Sequence, residues 1–183
     1  MKVLVLTAFY PIPNGTHERM FVHVRNQYYQ RCGIDVTVLN FDAHDNYTID
    51  GISVITAGTF DQEKGKNKYD IVISHSANLR NHFRWLKKYE KIFNHLVFFF
   101  HGHETSYLNK DYPKPYPYLP ASRWYCQMVQ NTYDWLKIRT WAGYYKKLAA
   151  KSEFVFVSEW MHKRFLTQMS TKSQKDALNY KPH

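Results

Sequence analysis

Residues 2–7 read Lys2-Val3-Leu4-Val5-Leu6-Thr7, and the four central residues are all apolar. A continuously apolar strand is typical of a parallel sheet that is covered by helices on both faces. The turn-rich segment Pro11–Thr16 follows it. Met20, Val24 and Tyr28 then recur at four-residue spacing, which predicts an amphipathic helix. The chain therefore opens as a strand, a loop and a helix.

The same alternation continues along the chain. Gly33 predicts the end of the first helix, and Val36–Leu39 is the next predicted strand, as in a doubly wound β-loop-α-β unit. Helical patterns are predicted over Asn78–Tyr89 and after Ser158, and the polar stretch Asp61–Lys68 is predicted as a connection. The remaining predicted strands are Ile52–Ile55, Tyr69–Ser74, His95–Phe100 and Phe154–Val157. We predict an α/β fold, with a Rossmann-like, doubly wound and mostly parallel sheet and helices on both faces.

The chain of 183 residues has the size of one domain. We predict that residues 1–170 form the Rossmann-like domain, with an aromatic helical insertion at residues 107–151. Residues 171–183 are predicted to be a linker that leads out of it.

Composition excludes several classes of site. Two cysteines do not make a disulfide framework or a zinc site, and they fit a reducing cytoplasm. The longest apolar run, Leu96–Phe100, is far shorter than the roughly 20 residues that span a bilayer. The formal charge of +10 favours an anionic partner such as a phosphorylated substrate or a lipid surface.

Polar residues follow the predicted strands. In an open parallel sheet, ligands bind outside the carboxyl ends of the strands, and a helix N-terminus there attracts phosphate. The candidate substrate-binding residues are Gly15, Thr16 and Arg19 after the first strand, His75 and Ser76, then Gly102, His103 and Glu104, and finally Ser158 and Glu159. His101 directly follows an apolar strand and belongs to the same group of strand-end residues.

Each candidate also has a structural interpretation. Gly15 could serve only the turn before the helix, His75 could be a hydrogen-bonded packing residue, and Ser158 could be a helix N-cap followed by the first-turn acid Glu159. The cluster His101–Glu104 is the strongest functional candidate, because it combines two imidazoles, a carboxylate and a glycine. It lacks the spacing of a zinc site, and the chain has neither a Gly-x-Gly-x-x-Gly motif nor a P-loop.

Taken in order, these segments resemble the N-terminal domain of the glycosyltransferase family 4 group, which has the GT-B fold. No single motif is specific, but the ordered set covers nearly the whole chain. The segments that carry the resemblance are Lys2–Thr7, Asn14–Thr16, Gly33–Val38, Tyr69–Ser76, His101–Glu104 and Phe154–Met161.

The resemblance implies the N-terminal, acceptor-binding half of a retaining glycosyltransferase of hexosyltransferase type. Such an enzyme moves a sugar from a nucleotide-sugar donor to a glycan or lipid-linked acceptor, here in cell-surface polysaccharide synthesis, and needs no obligatory metal or cofactor. By position, Gly15 and Thr16 correspond to the loop that faces the donor phosphates, although the family often has a second glycine where Thr16 stands. His101 corresponds to the histidine beside the transferred sugar, so the resemblance implies that His101 is the catalytic residue.

The resemblance also implies a second half that binds the nucleotide sugar. Its characteristic glutamates and basic residues would follow Tyr180–His183, so we expect that a C-terminal GT-B domain, in cis or in trans, completes the enzyme. The present chain alone is expected to be inactive.

Residues 107–151 interleave aromatic and basic side chains. Trp and Tyr favour the headgroup zone of a bilayer, and basic residues gain free energy near anionic lipid. This pattern predicts peripheral contact with the inner face of the membrane, and the alternative is a helix pair that packs its aromatic residues into a core. The candidate contacts are Trp124, Trp135, Lys137, Trp141, Lys146 and Lys147.

Two other functions remain open. Positive charge interleaved with aromatic residues would also suit single-stranded nucleic acid, but no nucleic-acid motif is present, and we expect no nucleic-acid partner. A sugar- or phosphate-binding module without catalysis is the other alternative.

Overall fold

The computed structural model describes residues 1–15, 17–63, 68–111 and 123–169, and these residues contain a seven-stranded sheet in the order β3-β4-β2-β1-β5-β6-β7. Strands β1, β2, β4, β5 and β6 pair in parallel, and β3 runs antiparallel to β4. The α/β class and the mostly parallel sheet are therefore confirmed. The strands are β1 Lys2–Thr7, β2 Asp35–Asn40, β3 Tyr47–Ile49, β4 Ile52–Thr56, β5 Tyr69–His75, β6 Phe93–Phe100 and β7 Ser152–Phe156.

Helices connect these strands. A π-helical turn, Leu79–Phe83, leads directly into α3, and short 3-10 turns lie at His103–Thr105 and Ala149–Lys151. The α-helices are α1 Met20–Arg31, α2 Ala57–Glu63, α3 Arg84–Lys88, α4 Leu108–Asp111, α5 Trp124–Leu148 and α6 Glu159–Gln168.

The chain divides into two compact units. The first unit comprises the described residues of Met1–Phe99 and Lys151–Val155, and the second comprises the described residues of Phe100–Ala150 and Phe156–His183. The predicted helical insertion at residues 107–151 falls almost wholly in the second unit. The predicted linker at residues 171–183 lies outside the described residues.

The core of the first unit is built on both faces of β1. Val3, Leu4, Val5 and Leu6 are each at most 2% exposed, as the continuous apolar run predicted. On one face the core cluster contains Val3, Val5, Tyr10, Val22, Val36, Val38, Ile52, Val54, Ile73 and Phe99. An aromatic cluster forms a further part of this core, where the Phe60 ring lies 5.0 Å from Trp85 and 5.1 Å from Tyr89.

The second unit has an aromatic core of its own. The Phe100 ring stacks on Phe156 at 5.0 Å and meets Phe165 edge-on at 5.3 Å. Tyr145 stacks on Trp141 at 5.1 Å and contacts Phe165 at 5.7 Å. These rings bring α5 and α6 together, because each helix supplies part of the same cluster.

Two local elements differ from the sequence prediction. Strand β3 was not predicted; it is only three residues long and joins β4 through Asp50 and Gly51, whose φ angles of 48° and 78° are those of a type I′ hairpin turn. The beginning of the predicted connection Asp61–Lys68 is helical, because α2 extends to Glu63. There Phe60 is buried, and burial of this ring stabilises a helix whose composition is otherwise weak.

Candidate functional site

The first unit contains the topological switch point of the sheet. Strand β1 is flanked by β2 on one side and by β5 on the other, so the chain order reverses beside it. Ligands of open α/β sheets bind outside the carboxyl ends of the strands at this point. The segments that leave the switch point are the loop after Thr7 and the loop after His75.

Arg19 and Ser76 join these two loops. The Arg19 Nη1 donates a hydrogen bond of 2.9 Å to the Ser76 Oγ, so two predicted substrate-binding residues lie together. Both have left-handed backbone conformations, with φ of 60° at Arg19 and 49° at Ser76. Non-glycine residues in this region cost about 1–3 kcal/mol each and cluster at ligand-binding sites. Backbone strain and a guanidinium therefore coincide at the switch point.

Gly15 serves the turn before α1. Its N–H donates to the Ile12 carbonyl at 3.0 Å, and a Cβ at this position would lie 3.1 Å from the Ile12 Cβ. The turn interpretation of Gly15 is therefore supported by a close contact. Thr16, the other predicted phosphate-loop residue, lies outside the described residues.

His75 does not present its ring to a ligand. The side chain is fully buried and stacks on Phe99 with 4.7 Å between ring centroids. The prediction of substrate contact by His75 is therefore wrong, because the imidazole is used in packing between β5 and β6.

A second histidine near the switch point, His82, was missed by the sequence analysis. Its ring is fully buried and meets the Phe41 ring edge-on at 4.9 Å, and its Nδ1 accepts the Asn78 N–H at 3.4 Å. Burial lowers the pKa of His82 to about 3, and the nearby Arg19 charge acts in the same direction. His82 is therefore neutral at physiological pH. It lies in the π-helical turn, a feature frequent at functional sites, but one that periodicity does not reveal.

The cluster His101–Glu104 belongs to the second unit, and Glu104 organises it. Its carboxylate accepts the His101 N–H at 3.1 Å and the Gly102 N–H at 2.7 Å, and the side chain is buried. Both oxygens therefore have a structural role in shaping the loop, and a substrate contact by Glu104 stays a prediction. His101 is half-buried and His103 is exposed, so both rings remain candidates for ligand contact.

A buried ion pair holds this loop against α5. The Lys137 Nζ donates to the Asp134 Oδ1 at 2.9 Å, and also to the His103 carbonyl at 2.8 Å and the Ser106 carbonyl at 3.1 Å. The Asp134 Oδ2 accepts the Leu108 N–H at 2.8 Å. Three ammonium protons and both carboxylate oxygens are thus satisfied, which a buried ion pair requires.

Two predicted membrane contacts are wrong. Lys137 is used in this network and Trp141 is fully buried against Tyr145, so neither can reach a lipid surface. The other four predicted membrane contacts are exposed and remain predictions: Trp124, Trp135, Lys146 and Lys147. No helix of the described ranges is long and apolar enough to cross a membrane.

Ser158 and Glu159 have structural roles at the start of α6. The Ser158 Oγ accepts the Met161 N–H at 3.3 Å, which is the N-cap interaction, and the Glu159 carboxylate lies 3.0 Å from the Lys163 Nζ. Both residues support the helix as the structural interpretation expected. Neither contact tests a role in substrate binding.

Replacing Ser158 by alanine is expected to lower the free energy of unfolding by about 1 kcal/mol, because the first turn of α6 loses a side-chain acceptor. Thr167→Ala removes a hydroxyl that bonds the Lys163 carbonyl near the other end of α6, and should change stability by less than about 0.5 kcal/mol. Urea unfolding of both variants measures the difference. Equal stabilities would contradict the capping role.

The described residues contain no group of three or more His, Cys, Asp or Glu side chains that could hold a metal ion. Cys32 and Cys126 are exposed free thiols.

No protein-family model and no curated protein matches the chain. Among solved structures, a dTDP-glucose 4,6-dehydratase from Bacillus anthracis, crystallised in complex with NAD, is similar with a TM-score of 0.42 and 13% identity. The match covers 85% of this chain and 54% of the dehydratase, so the chain spans about half the length of that protein. Likeness at this level says nothing about activity, and the function has to be inferred from the residues of this chain.

Proposed function

We propose that the chain is the acceptor-binding half of a retaining glycosyltransferase of GT-B type. The observation that carries the proposal is the Arg19–Ser76 pair at the switch point. A guanidinium is the side chain best suited to a phosphate group, because it donates two parallel hydrogen bonds. Phosphate is common to nucleotide-sugar donors and lipid-linked acceptors, and the hydroxyl of Ser76 can hydrogen-bond either one.

The proposed role of His101 lies within the second unit. The His101 backbone is held by Glu104, and the loop is held in turn by Lys137 through the His103 carbonyl. In the proposed enzyme, the His101 imidazole contacts a hydroxyl of the transferred sugar or the acceptor and orients it. A separate nucleotide-sugar-binding domain, in the same or another chain, supplies the donor, and no metal or cofactor takes part.

The phosphate role can be tested on the chain itself with glucose 1-phosphate as the probe and glucose as the uncharged control. We expect that the chain binds the phosphate ester more tightly, and that Arg19→Met weakens this binding by about tenfold or more, since a hydrogen bond to a charged group contributes about 1.5–3 kcal/mol. Arg31→Met, at the exposed far end of α1, should have no effect. Titration calorimetry or ligand-observed NMR gives the affinities.

Equal weakening by Arg19→Met and Arg31→Met, or equal binding of the two sugars, would contradict a phosphate site at Arg19. The transfer step is tested separately, in the protein that joins this chain to a donor domain. There His101→Ala should lower turnover by about 10², the cost of a misplaced reacting group, while His44→Ala, in an exposed loop, should not. Phosphate binding without any transfer would instead indicate a binding module.

A further inference from the structure

Helix α5 has an inner face and an outer face. Seven of its residues are buried, at intervals of three or four, and form the inner face: Asp134, Lys137, Ile138, Trp141, Tyr144, Tyr145 and Leu148. The large apolar and basic residues on the opposite side form what we call the outer face: Trp124, Tyr125, Met128, Val129, Trp135, Leu136, Arg139, Lys146 and Lys147. All nine are exposed.

The first half of the outer face is apolar. Trp124 is 73% exposed, Val129 is 69% exposed and Met128 is 60% exposed. Helix α5 packs only its inner face into its unit, so these large apolar side chains lie at the surface. Single exposed apolar residues are ordinary, but a contiguous group of large ones marks an interaction surface.

The second half of the outer face is cationic. Arg139, Lys146 and Lys147 lie there, and the only carboxylate of α5, Asp134, is buried on the inner face. The outer face therefore carries positive charge with no acidic residue among its members. The whole chain has a formal charge of +10, so an anionic partner would be attracted over a long range as well.

A groove adjoins these charges within the second unit. Its volume is about 430 Å³, and Tyr107, Trp135, Arg139 and Lys146 are among the residues that line it. The Arg139 guanidinium lies 5.3 Å from the centre of the Trp135 ring, so a cation and an aromatic face border the same space. Two cations in one groove suit a phosphate-bearing group.

We infer that the outer face of α5 docks on an anionic lipid bilayer, with the groove taking a lipid headgroup phosphate. Charge complementarity decides for lipid as the occupant, because apolar and aromatic residues that favour the headgroup zone lie on the same helix face as the basic side chains of Arg139 and Lys146, and the one carboxylate of α5 is on the inner face. The proposal does not depend on the glycosyltransferase assignment, because no residue of the outer face belongs to the switch point or to the His101–Glu104 loop.

The test is sedimentation of the chain with phosphatidylcholine vesicles that contain about a third phosphatidylglycerol. We expect binding at about 50 mM NaCl and its loss at about 500 mM, where screening shortens the reach of charge. Lys146→Glu/Lys147→Glu should weaken binding by about tenfold or more, since each basic residue near the surface contributes about 1 kcal/mol. The control Lys87→Glu/Lys91→Glu makes the same change in net charge at exposed lysines of the first unit.

The aromatic contribution has its own matched pair. Trp124→Ser should weaken vesicle binding by about tenfold, in line with the loss of one large apolar side chain from the interface. Trp160→Ser, at an exposed tryptophan of α6, should leave it unchanged. Circular dichroism of each variant confirms that the fold is intact.

The inference is overturned if the chain does not bind at low salt, if pure phosphatidylcholine binds equally well, or if each outer-face variant matches its control. If the chain does not bind vesicles but sediments as a dimer, and Trp124→Ser dissociates that dimer, the partner of the outer face would be a second copy of the chain. Salt-dependent binding to a single-stranded oligonucleotide without vesicle binding would point to nucleic acid instead.

Discussion

Replacing Lys137 by methionine is expected to lower the free energy of unfolding by about 3–5 kcal/mol, the usual cost of breaking a buried ion pair from one side. The substitution leaves the Asp134 carboxylate buried without its ammonium partner, and it leaves the carbonyls of His103 and Ser106 without the donor they now have. Methionine fills much of the volume of the lysine stem, so the loss reports on charge and hydrogen bonds more than on packing.

The matched control is Lys147→Met on the same helix. Lys147 is exposed, so its replacement should change stability by less than about 0.5 kcal/mol. Urea unfolding, followed by circular dichroism, gives both values. If the two variants were equally stable, the ion pair would contribute nothing to the second unit, and the loop at His101–Glu104 would have to be held by Glu104 alone.

The second large effect concerns His82 and pH. Burial lowers the pKa of His82 to about 3 in the folded chain, whereas an unfolded histidine titrates near 6.5. Between these values the unfolded chain takes up a proton that the folded chain does not. The part of the free energy of unfolding that depends on His82 remaining neutral is therefore fully present above about pH 6.5, and it is lost as the pH falls toward 3.

The size of this effect follows from the same linkage. Between about pH 7.5 and pH 5, His82 should contribute a loss of about 2 kcal/mol in the free energy of unfolding. His82→Gln should remove that part of the pH dependence, because glutamine does not titrate. The measurement is urea unfolding at both pH values for both proteins, with the change compared within each, so that any constant cost of the substitution cancels. Equal changes in the two proteins would show that His82 is protonated without penalty.

Much of the first unit could be predicted from local pattern. The run Val3–Leu6 is apolar without interruption, and such a run is buried on both faces of a parallel sheet wherever it occurs. The central strand, its neighbours and the helix Met20–Arg31 followed from this rule and from four-residue spacing. Strand β3 did not, because three residues carry too little periodicity and the strand exists only through pairing with β4.

The candidate site was predictable only in part. Polar residues at strand ends pointed to Arg19 and Ser76, which the structure brings together. The same rule also selected His75 and Glu104, which the structure uses in packing and in shaping a loop. The rule did not select His82, because His82 lies inside a helical pattern and not at the end of a strand. A position at the end of a strand shows only where the side chain leaves the backbone. Tertiary contacts decide whether its polar atoms face a ligand or the rest of the protein.

By itself the sequence determined the α/β class and the positions of most strands along the chain, because runs of apolar residues and helical spacing are properties of neighbouring residues. Only the tertiary structure decided which side of α5 is inside. Both sides of that helix carry tryptophan, tyrosine and lysine, so periodicity could not separate Trp141 from Trp135 or Lys137 from Lys147. The ring contacts of Tyr145 with Phe100 and Phe165, and the hydrogen bond from the Leu108 N–H to the buried Asp134, select the inner face. These contacts join residues far apart in the chain.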